Sequence, residues 1–272
     1  MKQIAVLCVN YHSYKELKQY LNSINNAAIL VPDWQIEVMV ADNSDRFQQE
    51  ITTTFPHIKV EIFPFYENLG YLNAIAKVAS MKGKDYFLNY QFVIFSNVDI
   101  SLELDFFEKL TTFPLQEQIG WLAPSIYSKQ EKLDKNPSMI SRPNLKQINR
   151  LIRLYEQPIY FQLYRKLIYP FRRKRRKTDD HHSLIYAGHG SCMIFSGSFI
   201  HKITPFQFPT FLFCEEIFLA ELLIQHHLTV YYEPSIKVQD LEHINTGNIN
   251  YKRLCQWHIE SLQALKQLFI FD

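Results

Sequence analysis

The sequence predicts an α/β fold in which a mostly parallel sheet is flanked by helices within one domain, residues 1–272. Apolar runs that suit buried strands alternate at short intervals with segments of helical spacing, which is typical of parallel sheets with right-handed crossovers. Polar clusters follow three of the strands. Because ligands bind outside the carboxyl ends of the strands in such sheets, these clusters predict a site at one sheet edge.

The strands are predicted from apolar runs bounded by turn residues. Ile4–Val9 is a continuous run of this kind, which is typical of a strand buried on both faces. The later runs follow the same pattern. They are Ile36–Val40, Ile58–Phe63, Phe92–Phe95, Gly120–Pro124, the end of Ser183–Phe195, Thr229–Pro234 and Ser235–His243.

The helices are predicted from apolar residues that recur three and four positions apart. The first begins near Tyr14, where Leu17, Leu21 and Ile24 keep this spacing and Ser13 can cap. The later helices are expected at Phe47–Phe55, within Glu67–Ser80, at Leu104–Leu110, from Cys214 to His227 and at Tyr251–Phe269.

The segment Lys129–His182 breaks the alternation of strands and helices. It is polar at first and then basic and aromatic, and four prolines interrupt it. We interpret it as an insertion between two halves of the domain, residues 1–128 and 183–272.

Charge is unevenly distributed along the chain. The net formal charge is +2, but residues 150–177 hold ten Lys and Arg against one Glu, a charge of +9 interleaved with Leu, Ile, Tyr and Phe. The rest of the chain therefore carries −7. This composition suits an interfacial segment on an anionic membrane, although nucleic-acid binding and a solvated loop are alternatives.

The cysteines and the apolar runs indicate a cytosolic protein. The four cysteines are widely spaced and most lie in apolar runs, as expected of reduced core thiols. The start of the chain does not resemble a signal peptide, and no run approaches the ~20 apolar residues of a spanning helix.

Three polar clusters follow predicted strands: "VNYHS", "ADNSD" and "SNVD". In the third, Asp99 stands at the tip of a very apolar strand. A simple turn would explain an Asp there. A metal or phosphate site is the alternative explanation, and it would also account for the other two clusters.

The sequence resembles family 2 glycosyltransferases of the GT-A fold, in the rhamnosyltransferase-like branch that builds bacterial surface polysaccharides. The matching pieces occur in the family's order. They are "VNYHSYKELKQYLNSI", "VMVADNSD", "ENLGYLNAIAKV", "VIFSNVDISL", "AGHGSCMIF", "FLFCEEIFLAELLIQHHLTVYYEP" and "IKVQDLEH".

The resemblance implies an inverting, divalent-metal-dependent transfer of a sugar from a nucleotide-diphosphate sugar to a lipid-linked saccharide acceptor. The products would be capsule, O-antigen or related polysaccharides. Residues 1–128 would bind the donor and residues 183–272 the acceptor. The composition of residues 150–177 favours membrane contact, because nucleic-acid binding would leave the carbohydrate-type site unexplained. The protein is therefore expected at the cytoplasmic face of the cell membrane. A homo-oligomer is left open.

Donor contacts are expected from several matching motifs. Asp42 is suited to accept from a base N–H, with Asn10 and Tyr11 flanking the base or ribose; loop capping is the simpler reading of "DNSD". The other expected donor-binding residues are Asn68, Gly70, Asn97, Asp99, Gly188 and Gly190. The glycines would allow the backbone to approach a sugar closely.

A metal site is implied by "NVD", which resembles the family's DxD motif with Asn97 in place of the first Asp. Asp99 keeps a carboxylate for Mg²⁺ or Mn²⁺, which take hard oxygen ligands and substrate phosphates. Asp240 or His243, in "VQDLEH", would supply a further ligand, and a surface-loop histidine is the alternative reading of His243.

The general base is implied by "CEEIF", where the family carries an acidic pair. Motif register favours Glu216 over Glu215 as the base, and the neighbouring charge would raise one pKa. First-turn acids that complement a helix dipole are the alternative explanation.

Other function classes fit less well. A sugar nucleotidyltransferase would need a glycine-rich basic loop after the first strand, and a dehydrogenase would need GxGxxG; neither is present. A non-catalytic nucleotide-sugar-binding module on the same scaffold stays open, because Asn97 and the Glu-Glu pair depart from the family's pattern.

Overall fold

The structure is a computed structural model that describes residues 2–46, 54–167, 183–241 and 250–271. The predicted helix at Phe47–Phe55 lies largely outside these ranges. The strands of the described chain are β1 (Lys2–Asn10), β2 (Trp34–Asp42), β3 (Lys59–Pro64), β4 (Tyr90–Asn97), β5 (Ile100–Leu102), β6 (Ile119–Ser128), β7 (Leu133–Asp134), β8 (Ser183–Ile185), β9 (Cys192–Ser196) and β10 (Thr229–Asp240).

Helices connect these strands, and one helix follows the last strand. They are α1 (Tyr14–Ala28), α2 (Tyr71–Lys82), a 3₁₀ helix (Lys84–Asn89), α3 (Phe106–Thr112), α4 (Leu145–Tyr155), α5 (Pro158–Leu167), α6 (Gly197–Ile203), α7 (Glu215–Gln225) and α8 (Tyr251–Leu268). Within the described ranges, no helix is long and apolar enough to cross a membrane.

One sheet organises the molecule, with strand order β3-β2-β1-β4-β9-β6-β10-β5 and with β7 and β8 attached to β6 and β10. The strands β1 to β4 are mutually parallel, and so are β6 and β10. The strand β9 runs antiparallel between these two groups. Its start therefore lies at the edge where β1, β2 and β4 end.

Alternate side chains of the central strands pack into two hydrophobic cores on opposite faces of the sheet. In β1, Ala5 and Leu7 pack with the core that contains α2, α6 and α7, whereas Ile4 and Val6 pack with α1 and α3. Both faces are covered, and this explains why β1 is an unbroken apolar run.

The predicted fold class is confirmed, but two elements differ from expectation. The runs Thr229–Pro234 and Ser235–His243 belong to one strand, β10, whose register shifts between Glu233 and Lys237. A shift of this kind breaks the apolar pattern without ending the strand.

The segment Lys129–His182 is more regular than its composition suggested. It contributes β7, α4 and α5, and Ile148 and Ile152 of α4 pack into the larger core. Two of its prolines stand at helix starts: Pro143 precedes the capping-box residue Asn144, and Pro158 opens α5. Because proline is well tolerated at or just before a helix start, neither residue interrupts a helix.

Candidate active site

The ends of β1 and β2 meet in a buried hydrogen-bond network centred on Asp42. Its Oδ1 accepts from Asn10 Nδ2 at 3.0 Å and from the backbone and hydroxyl of Ser44 at 3.1 and 2.7 Å. Its Oδ2 accepts from the Tyr14 hydroxyl at 2.7 Å. Asp42 and Asn10 are both buried. The carboxylate therefore holds two strand ends and the loop after β2 in fixed positions.

Neighbouring groups extend this network toward the start of α2. Asn43 Nδ2 donates to the Gly70 carbonyl at 2.8 Å, and Asn68 Oδ1 accepts from the Gly70 N–H at 3.0 Å. Gly70 has φ +81°, and a Cβ there would lie 2.0 Å from the Phe211 carbonyl oxygen. Only glycine fits at this position.

Tyr11 differs from its neighbours because its side chain is exposed. It follows the end of β1, is 43% exposed and packs edge-on against His12 at 4.6 Å. Of the three residues expected around the base, Asn10, Tyr11 and Asp42, it therefore offers the most accessible surface.

The "NVD" motif and the "AGHGSC" loop lie side by side. The Asn97 N–H donates to the Ser191 carbonyl at 3.0 Å, and Ser96 of β4 pairs with Cys192 of β9. A Cβ on Gly188 would lie 2.9 Å from Ala123 Cβ and 3.0 Å from the Trp121 ring. The loop therefore packs closely on β6 while its other side faces the end of β4.

Glu216 joins this loop directly. Its Oε1 accepts from the Gly190 N–H at 3.0 Å, and the Gly190 carbonyl accepts from the Tyr71 hydroxyl at 3.0 Å. Burial, with smaller contributions from Cys192 and Glu215, raises the pKa of Tyr71 well above its usual value. The tyrosine thus stays a donor and anchors the loop against Glu216.

The two adjacent glutamates have different surroundings. Glu215 is buried, and its Oε1 folds back to accept from the Phe213 N–H at 2.9 Å. Glu216 is half-buried. Burial, followed by the neighbouring Glu216, raises the pKa of Glu215 to about 8. Burial also raises the pKa of Glu216, although hydrogen bonds from the N–H groups of Glu216 and Gly190 lower it in part.

The turn that delivers these glutamates has an unusual backbone. Phe213 and Cys214 both have left-handed φ, +75° and +66°, immediately before α7 begins. Two successive non-glycine residues in this region are strained, and such strain concentrates at functional sites.

Asp99 and Asp240 lie near each other at this edge of the sheet, where β5 pairs with the end of β10. Asp240 pairs with Ile100, and the Leu241 N–H donates to the Asp99 carbonyl at 3.0 Å. The Asp240 carboxylate is buried and bound by the Lys135 ammonium. His243 lies outside the described residues.

The side chains at this edge can be compared with the ligands that a divalent cation takes. In the part of the chain that the structure describes, no three His, Cys, Asp or Glu form a metal-binding group. Asp99 and Asp240 are hard oxygen donors, which fits a cation that takes most of its ligands from phosphates and water. The Lys135 ammonium competes with a cation for the Asp240 carboxylate.

Sequence reasoning missed three residues that shape this edge. These residues are Lys135 in the segment Lys129–His182, Tyr71 at the start of α2, and His189 between Gly188 and Gly190. The His189 N–H donates to Asn136 Oδ1 at 2.8 Å, and its Nδ1 accepts from the Ser191 N–H at 3.2 Å. The position of His189 within "AGHGSC" was the one available signal.

The sequence matches no family model and no curated protein. Solved structures do resemble the fold. The crystal structure of GalNAc-T7 with UDP, GalNAc and Mn²⁺ aligns with a TM-score of 0.54 at 12% identity, over 91% of this chain and 45% of that chain. The crystal structure of TarS from S. aureus aligns with a TM-score of 0.48 at 13% identity, over 85% of this chain and 36% of that one.

The chain therefore spans less than half the length of either protein. The likeness to GalNAc-T7 agrees with the predicted fold: a mostly parallel sheet flanked by helices, as in GT-A glycosyltransferases.

Proposed function

We propose that the protein is an inverting, divalent-metal-dependent glycosyltransferase. It would move a sugar from a nucleotide-diphosphate sugar to a lipid-linked saccharide in the synthesis of capsule, O-antigen or a related cell-surface polysaccharide. The observation that carries this proposal is the Glu216–Gly190 contact, which brings a carboxylate of raised pKa to the loop beside the end of β4.

Glu216 is the proposed general base. It would take the proton from the acceptor hydroxyl as that oxygen forms a bond to the sugar's anomeric carbon. The bond from this carbon to the diphosphate breaks, and its electron pair leaves with the diphosphate. A carboxylate of raised pKa is a better proton acceptor than an ordinary one. The Gly190 N–H would hold Oε1 in place during this step.

Asp99, with Asp240 or His243 as a further ligand, would hold a Mg²⁺ or Mn²⁺ ion. When bound, such an ion neutralises charge on the departing diphosphate. Asn97 would offer an amide to the ribose or a phosphate. The GalNAc-T7 structure contains Mn²⁺, and this supports the choice of ion.

The nucleotide would lie over the ends of β1 and β2. Tyr11 would offer its exposed ring to the base, and Asp42 would accept from a base N–H while it keeps Asn10 and Ser44 in place. Asn68, Gly70 and Gly188 would shape the backbone around the donor.

The test is a panel of UDP-, GDP- and dTDP-sugars, assayed for slow hydrolysis and thermal stabilisation with and without Mn²⁺. Asp99→Ala should abolish the metal-dependent part of donor binding. Asp85→Ala is the matched control, because Asp85 is exposed and precedes β4 at the opposite edge of the sheet. Equal, metal-stimulated affinity in wild type and Asp99→Ala would refute the metal assignment.

A non-catalytic nucleotide-sugar-binding module is the second candidate. The Lys135–Asp240 pair favours it, because this pair occupies a carboxylate that a metal would otherwise use. Donor binding without any turnover across the panel would support this candidate over the enzyme.

A further inference from the structure

Lys135 is a partly buried cation at the edge of the sheet where the donor would bind. Its ammonium pairs with the Asp240 carboxylate, and the two side chains keep only 14% and 7% of their surface exposed. Taking two charges out of water is costly, and a buried ion pair often stabilises a fold less than apolar side chains of the same size. Stability alone therefore does not account for a lysine at this position.

The backbone that carries Lys135 is held firmly against β6. The Lys135 N–H donates to the Ile126 carbonyl at 2.8 Å. Asp134 Oδ1 accepts from the N–H groups of Ile126 and Asn136, both at 2.9 Å. Asp134 Oδ2 accepts from the Tyr232 hydroxyl at 3.1 Å. The main chain at Lys135 is thus fixed, and its ammonium can change partner by rotation of the flexible side chain alone.

Lys135 lies between the two segments expected to face the diphosphate. On one side, its partner Asp240 pairs with Ile100 in β5, directly after the "NVD" motif. On the other side, Asn136 Oδ1 accepts from the His189 N–H at 2.8 Å, which ties the neighbour of Lys135 to the "AGHGSC" loop. The lysine therefore lies at the edge where open α/β sheets bind their ligands.

We propose that Lys135 binds the diphosphate of the donor through its ammonium. Lysine is a common phosphate ligand, because its ammonium is a compact charge with three N–H donors on a flexible stem. On donor binding, the ammonium would move from the Asp240 carboxylate to a diphosphate oxygen. This inference rests on the nucleotide-diphosphate-sugar donor of the proposed function, and it applies to the binding module as well as to the enzyme.

A purely structural ion pair is the competing explanation. In that case Lys135 would serve only to neutralise Asp240. Removing the lysine would then weaken phosphate binding indirectly, through repulsion from the bare carboxylate. Variants of both residues separate the two explanations, because they change the ammonium and the carboxylate independently.

The test is calorimetric titration of the full chain with UDP, GDP and dTDP, each beside its own nucleoside, in buffer that contains EDTA. The nucleoside measures contacts to the base and the sugar, and the gain in affinity from nucleoside to diphosphate measures contacts to the phosphates. EDTA removes divalent cations, so a role of Asp240 as a metal ligand does not enter the comparison. Wild type should bind at least one diphosphate more tightly than its nucleoside.

Lys135→Met should weaken diphosphate binding about 10- to 100-fold, the range expected for loss of a hydrogen bond to a charged group. Nucleoside affinity should stay unchanged. Lys135→Arg should retain most of the diphosphate affinity, because it keeps a cation at this position. Lys129→Met is the matched control: Lys129 is exposed in the turn between β6 and β7, and this variant should bind like wild type.

The double variant Lys135→Met/Asp240→Asn gives the decisive comparison. It removes both charges, so no bare carboxylate is left to repel phosphate or to destabilise the fold. Loss of the diphosphate gain in this variant would support direct binding by Lys135, and wild-type diphosphate affinity would overturn it. Asp240→Asn alone should tighten diphosphate binding, because the ammonium no longer has to leave this carboxylate; unchanged or weaker binding would contradict the proposal.

The same titrations separate this inference from the proposed function. If no nucleoside diphosphate binds wild type, the donor site and the role of Lys135 are overturned together. If the double variant keeps full diphosphate affinity while wild type transfers sugar, the role of Lys135 alone is overturned. The melting temperature of each variant shows that the titrated protein is folded.

Discussion

The backbone N–H of Gly190 donates to Oε1 of Glu216 over 3.0 Å, and a Cβ on Gly190 would lie 2.6 Å from the same oxygen. The glycine therefore leaves room for the glutamate and also orients it. Glu215 turns the other way and binds the Phe213 N–H. The two adjacent acids thus have separate tasks.

Glu216→Gln should lower transfer by roughly 10²-fold or more, because glutamine keeps the Gly190 contact but cannot accept a proton. Donor affinity should stay near that of wild type. The measurement is single-turnover transfer beside a UDP titration. Glu215→Gln is the matched control and should retain transfer; an inactive Glu215→Gln with an active Glu216→Gln would reverse the assignment.

Gly190→Ala should fold normally and transfer poorly. Its φ lies outside the left-handed region, so the backbone accepts alanine, but the new Cβ displaces the Glu216 carboxylate. A displacement of about 1 Å can cost on the order of 10²-fold in rate. Melting temperature and transfer are measured together.

Gly120→Ala is the contrasting control for this prediction. Gly120 lies near the start of β6, at the sheet edge opposite the site. A Cβ added there would lie 2.2 Å from Leu223 Cδ2. The substitution should lower the melting temperature and leave the rate per folded molecule unchanged. A Gly190→Ala variant with full activity would show that the carboxylate position is not critical.

Stability should fall as pH rises from about 5 to 8. Burial raises the pKa of Glu215 from the ordinary 4.5 to about 8, so the folded state keeps a proton that the unfolded chain releases. The folded state binds more protons across this window, and unfolding free energy therefore decreases with pH. Urea unfolding at several pH values should show a shallower slope for Glu215→Gln, because this variant has lost the titrating group. The same slope in both proteins would contradict the assignment.

Arg142→Met should destabilise the fold by about 3 kcal/mol, because it leaves the buried Glu221 carboxylate without its cation. Arg142 binds both Glu221 oxygens, at 2.8 and 2.7 Å, and also the Ile270 carbonyl near the end of the chain. Lys109→Met is the control: its pair with Asp105 is partly exposed to solvent and should contribute less than about 1 kcal/mol. Urea unfolding measures both, and equal losses would show that burial of Glu221 is unimportant.

Much of the sheet could be predicted because its signals are local. The run Ile4–Val9 is apolar on both faces because helices cover both sides, and Asn10 and Asp42 mark the points where β1 and β2 end. The merger of two runs into β10 could not be predicted, because the register shift depends on pairing with β6.

From the sequence one could predict that the ends of β1, β2 and β4 meet at one edge, because parallel strands place their carboxyl ends together. The partners of each side chain at this edge could be seen only in the folded structure. Asp42 is held by three neighbours, Asp240 by Lys135, and Glu216 rather than Glu215 reaches Gly190. These pairings join residues as far as 105 positions apart in the chain, so only packing in three dimensions could select them.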